Sequence, residues 1–100
     1  MEFKLLAERR PRNLEIVRAI LEETPGAFPV ELEHIGSAAY LSADRKSGGR
    51  VERLCISVPW AWLEESAGGP RLAQAVRRFA ETVSGMGAHP FSQSAAFAQA

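Results

Sequence analysis

Phe3, Leu5 and Ala7 alternate with Glu2, Lys4 and Glu8, the period-two pattern of a strand with one buried face. Leu6 falls on the polar side of that alternation, so the far face carries some cover too. Arg9-Arg10-Pro11-Arg12 interrupts, because the residue before a proline is pushed out of helical geometry. Asn13 is a good N-cap for the helix that follows. There Leu14, Val17 and Leu21, flanked by Ile16 and Ile20, form a wide apolar stripe that ends at Glu22-Glu23-Thr24-Pro25-Gly26.

Val30-Glu31-Leu32-Glu33-His34 alternates again and predicts a second strand. Gly36-Ser37 is a bend, after which Ala39, Leu41 and Ala43 oppose Tyr40, Ser42 and Asp44 in a third. Arg45-Lys46-Ser47-Gly48-Gly49-Arg50 reads as a polar hairpin turn. In the fourth strand Leu54, Ile56 and Val58 point one way, and Arg53, Cys55 and Ser57 the other. Pro59 ends that strand and can open a short helix in which Trp60, Leu63 and Ala67 share a face that Trp62 does not. Gly68-Gly69-Pro70 restarts the chain. Leu72, Val76, Phe79, Ala80 and Val83 then make a long stripe opposite Arg71, Gln74, Arg78 and Glu81, with Gly85 or Gly87 as the stop.

The order is strand, helix, three strands, short helix, long helix. Strands joined by tight turns pair antiparallel, and each long helix has one stripe to bury. The expected fold is therefore a two-layer α+β domain: a three- to four-stranded, mainly antiparallel sheet with both long helices on one face. Residues 1–87 form that single domain. Residues 88–100 form an uncharged tail rich in Ala, Ser and Gln, with Phe91 and Phe97 as anchors that pack in cis or in trans.

Composition narrows the function more than it identifies one. Twelve basic residues balance twelve acidic ones, so bulk charge steers the chain to neither nucleic acid nor anionic lipid. No apolar run reaches membrane-spanning length, and no basic stretch with an apolar block opens the chain. With a lone Cys55 and no partner for a disulfide, the expectation is a cytoplasmic protein. Scarce Asn and Cys fit a heat-adapted host, although GC-rich coding produces the same excess of Arg and Ala.

Catalytic constellations are hard to assemble. His34-Ile35-Gly36-Ser37 resembles the Gly-Ser entry to the active site of nucleotidyltransferase-fold proteins, where a following strand presents metal-binding carboxylates. Here that strand offers Asp44 alone, followed by Arg45-Lys46, and two-metal chemistry needs at least two ligands. Cys55, His34 and His89 have no ligand-pair spacing, so neither a metal nor another cofactor is expected. Cys55 as a nucleophile with His34 as base is the residual enzyme reading, and a small packed strand residue the ordinary one.

Binding is the remaining class. From residue 13 to residue 85 the order helix, three strands, helix is similar to the double-stranded-RNA-binding domain. That resemblance implies nucleic-acid binding, and local charge clusters beside it, Arg9, Arg10, Arg12 and Arg18 in one stretch and Arg45, Lys46, Arg50 and Arg53 around the hairpin, as patches for phosphate contact. The family's lysine-rich start of the second helix is replaced here by Arg71 between Pro70 and Leu72, and Glu22, Glu23, Glu31 and Glu33 add an acidic region. The first expectation is accordingly a non-catalytic homodimer or partner-binding module. Its contact uses a sheet edge or the tail, with Trp62, Phe91 and Phe97 as interface residues. Nucleic-acid binding is the alternative.

Overall fold

The computed structural model describes residues 2–24, 29–85 and 97–99. Its strands are β1 (Glu2–Leu6), β2 (Pro29–Ile35), β3 (Ala38–Ser47), β4 (Arg50–Pro59) and the short β5 (Phe97–Gln99). The helices are α1 (Leu14–Glu23), the single turn α2 (Ala61–Glu64) and α3 (Gly69–Ser84), with a 3-10 turn at Ser66–Gly68. The strands lie in sequence order across one mixed sheet. β2, β3 and β4 pair antiparallel, while β1 runs parallel to β2 and β5 parallel to β4. The class is α+β, as the alternation implied.

The parallel ends follow from the connections. β1 reaches β2 through α1, and a strand that crosses over a helix returns parallel. β4 reaches β5 through α3 in the same way. β2 and β4 are both antiparallel to β3 and so point the same way, and both crossovers advance across the sheet in the same direction. Crossovers of one handedness then put α1 and α3 on the same face.

The core lies between that face and the helices. Val30, Leu32, Ala39, Leu41, Ala43, Leu54, Ile56 and Val58 supply the sheet side, and Leu14, Val17, Ile20, Leu21, Leu72, Val76, Phe79 and Val83 the helix side. Phe79 is fully buried, and its truncation to Ala would cost about 3–5 kcal/mol. Phe3 and Leu5 pair in register with Val30 and Leu32 and stay half-buried at the rim of the core.

Three local expectations change. The β3–β4 turn is two residues, not six: Gly48 and Gly49 have φ of 59° and 81°. Both central residues of such a turn sit in the left-handed region, where glycine is at ease. The strands therefore continue through Ser47 and from Arg50. The helix after Pro59 stops at Glu64, which leaves Ala67 exposed in the 3-10 turn instead of on a face with Trp60 and Leu63. Asn13 precedes α1 but makes no side-chain cap, because its amide is used elsewhere.

Candidate functional site

Three surfaces gather the polar and aromatic side chains. The first is the sheet face opposite the helices. Tyr40, Cys55, Ser57 and Ile35 lie there, as the alternation placed them, and Ile35 is 52% exposed. Arg53 on β4 is its hub. The guanidinium donates to Asp44 Oδ1 at 3.2 Å, Glu31 Oε1 at 3.2 Å and Ser42 Oγ at 3.1 Å, linking three strands. Burial pushes the Cys55 thiol above its usual range, partly countered by the positive charge of Arg53 and reinforced by Glu33. A neutral thiol is a poor nucleophile.

The second surface is the end of the sheet where β2 and β4 finish, beside the start of α2. His34 stacks on Trp60 with ring centroids 3.8 Å apart and planes 6° from parallel. The Trp60 indole donates to Glu64 Oε2 at 3.1 Å, and Arg9 reaches the same carboxylate oxygen at 3.8 Å. His34 is thus an exposed stacking partner, and Cys55 lies on the opposite face of the sheet.

The third surface belongs to α2 and α3. The half-buried Trp62 indole walls a shallow cavity of about 310 Å³, lined among the described residues by Trp62, Arg71, Gln74, Ala75 and Arg78. The Arg71 guanidinium carbon lies 6.0 Å from the Trp62 ring centroid, a cation–π distance. Trp62 also packs against the core, so it is an aromatic ledge with one side covered. The spacing of 71, 74 and 78 put these side chains on one polar helix face. What the pattern lacked was the tryptophan at its end, nine residues before Arg71 and on a different element.

The arginines chosen from the sequence divide sharply. Arg45 points to the helix side, donating to the Thr82 carbonyl at 2.9 Å and to Glu52 Oε1 at 2.7 Å. A cation on a last-turn carbonyl also complements the negative end of α3. Arg10 pairs with Glu15 at 2.9 Å. With Arg9 on Glu64 and Arg53 on two carboxylates, four of the basic candidates already hold acidic partners. Arg12 and Arg50 are exposed, and no ion pair holds either among the described residues. Phe91 and the side chains of Lys46 and Phe97 lie outside the described residues, although the Phe97 backbone pairs with Cys55 in β5.

Among the described residues no group of three or more His, Cys, Asp or Glu side chains could hold a metal ion. No helix there is long and apolar enough to cross a membrane. Comparison with protein-family models, with curated proteins and with solved structures finds no match.

Proposed function

We propose that this chain is a non-catalytic binding module that pairs with a second copy of itself through the outer edge of β1. The carrying observation is the position of Glu2-Phe3-Lys4-Leu5-Leu6 at the end of the sheet, with β2 on one side. Its outward backbone groups are a template for another strand.

Charge selects the partner. Glu2 and Lys4 are exposed on one face of β1, two residues apart and opposite in sign. In an antiparallel pair centred on Phe3, Glu2 of each copy stands opposite Lys4 of the other. Phe3 then meets Phe3 on the helix side, and the two half-buried core rims join. Cross-strand ion pairs and aromatic pairs each contribute about 0.2–1 kcal/mol, whereas like charges in direct opposition destabilise. Such a contact closes on a two-fold axis and so stops at the dimer. Of the two contacts expected, the edge is better supported than the tail, because residues 97–99 pair with β4 of their own chain.

Phosphate contact through the basic cluster has less support, since Arg9, Arg10, Arg45 and Arg53 would have to leave carboxylate partners to make it. Light scattering after size exclusion tests the edge reading. The wild-type chain is expected near twice 10.9 kDa. Lys4→Glu, which sets like charges across the pair, returns the monomer mass with an unchanged circular dichroism spectrum. The charge swap Glu2→Lys with Lys4→Glu restores the dimer. A monomeric wild type, or a Lys4→Glu variant that stays dimeric, overturns the proposal.

A further inference from the structure

The cavity beside Trp62 is independent of the β1 edge and has the features of a small-ligand site. Its volume of about 310 Å³ lies at the lower end of the range for ligand pockets. Arg71 and Arg78 are two turns apart on α3, about 10 Å along the helix axis, with Gln74 between them and the buried Ala75 as floor. No carboxylate holds either guanidinium among the described residues, in contrast to Arg9, Arg10, Arg45 and Arg53. In a chain of zero net charge, this is local positive charge left unmatched beside an aromatic face.

The wall is also preorganised. Both N–H groups of the Asn13 amide hold main-chain carbonyls around α2, those of Trp62 and Glu65, each at 2.8 Å. Gly68 lets the next turn run against the Trp62 backbone: a Cβ there would lie 2.5 Å from Trp62 Cα. An indole on so fixed a backbone keeps its place on binding, which favours ligand affinity, and only the exposed Arg71 side chain over the ring has to swing aside for a planar group to stack.

We propose that this cavity binds a phosphate monoester carrying a planar ring, of the size and chemistry of a nucleoside monophosphate. The ring stacks at the Trp62 indole, and the phosphate takes the guanidiniums of Arg71 and Arg78. Indole faces accept any base by stacking, and the planar guanidinium fork matches phosphate oxygens two at a time. Gln74, with one acceptor and two donors, lies within the same cavity to meet polar edges of the ring or the sugar.

Titration of the intact chain with adenosine 5′-monophosphate, followed by tryptophan fluorescence and by calorimetry, tests this. Saturable binding with quenching is expected, with adenosine and inorganic phosphate each at least about tenfold weaker than the combined ligand. Arg71→Ala and Arg78→Ala, both exposed helix positions, each weaken binding about tenfold. Arg77→Ala serves as the control, because Arg77 lines a separate groove with Ile20 and Glu23 on the α1 side and binding should not change. Absence of saturable binding overturns the proposal, as does equal binding by both arginine variants. Inorganic phosphate matching the nucleotide overturns the ring assignment. A single-stranded oligonucleotide that binds far more tightly, with a steep salt dependence, makes the surface a nucleic-acid groove instead. Light scattering on the same samples reads self-association separately, so failure of one proposal is distinguishable from failure of the other.

Discussion

The Asn13 side-chain amide donates to the main-chain carbonyl of Trp62 at 2.8 Å across forty-nine residues of sequence. Its second N–H reaches the Glu65 carbonyl at 2.8 Å, and its backbone N–H donates to the Leu63 carbonyl at 2.8 Å. One residue, 8% exposed, thus ties the entry of α1 to three carbonyls around α2. Helices of fewer than about twelve residues are marginal alone. The four-residue α2 keeps its shape because Asn13 and the buried Leu63 fasten it.

Asn13→Ala removes two of those bonds, taking the amide donor from the Trp62 carbonyl while the Glu65 carbonyl keeps the Gly68 N–H at 2.9 Å, at a cost of about 1–3 kcal/mol. Asn13→Asp is expected to be worse at neutral pH, because a carboxylate then faces two carbonyl oxygens at hydrogen-bond distance. Urea unfolding measures both. An Ala variant within about 0.5 kcal/mol of wild type would show that water replaces the amide and that α2 does not depend on it.

Adjacent glycines at the start of α3 give opposite expectations. At Gly68 an added Cβ meets Trp62 main chain, 2.5 Å from Cα and 3.0 Å from the carbonyl oxygen, and backbone on both sides has little room to yield. Gly68→Ala should cost about 2–3 kcal/mol and disturb the Trp62 fluorescence. At Gly69 the nearest atom is the Ile16 Cδ1 at 3.2 Å, the far end of a flexible side chain. A small rotation relieves that contact, and the advantage of about 0.5–1 kcal/mol in helix propensity that Ala has over Gly offsets the crowding of a Cβ held in helical geometry (φ −55°, ψ −47°) directly before Pro70. Gly69→Ala should therefore fall within about 1 kcal/mol of wild type. Thermal melts of the two variants, recorded together, check the contrast; equal melting temperatures would refute it.

Sequence pattern is a good guide here to whatever depends on neighbours. The alternation through Val30–His34 and Leu54–Val58 and the stripe from Leu72 to Val83 assign faces correctly, because each is set by a residue's own burial. Long-range partners are not legible in the same way. Asn13 before an apolar run satisfies the capping rule, yet the carbonyls it bonds are about fifty residues away. Arg45 looks like turn residue until the Thr82 carbonyl, thirty-seven positions on, gives it a place beside the helix. Trp62 stands out by facing away from the Trp60–Leu63 stripe, but only the docking of α2 on α3 reveals Arg71 and Arg78 beside it. The polarity of β1 was hidden for a related reason. Strands of either direction share the same period-two pattern, and the crossover through α1 decides between them.

Cys55 supplies a test with two opposed arms. Its thiol is pushed above the ordinary range first by burial, then drawn back by Arg53 and raised again by Glu33. The folded state therefore favours the neutral thiol more than the unfolded chain does. That contribution to stability is fully present below the unfolded thiol's range and is lost as pH rises through the folded value, so stability declines under alkaline conditions. The thiolate is the nucleophile, and at a fixed mildly alkaline pH Cys55 should react with an aromatic disulfide reagent more slowly than free cysteine does. Arg53→Gln removes the one charge that favours the thiolate, and slows the reaction further. Glu33→Gln removes the opposing charge and speeds it. Both positions are exposed on the open sheet face, so neither change should empty the core. Stopped-flow rates across a pH series separate a shifted thiol from a merely shielded one: a shift moves the midpoint of the rate profile, whereas shielding lowers the rate at every pH. Unchanged midpoints in both variants would mean that these charges are screened from Cys55 and that burial alone governs it.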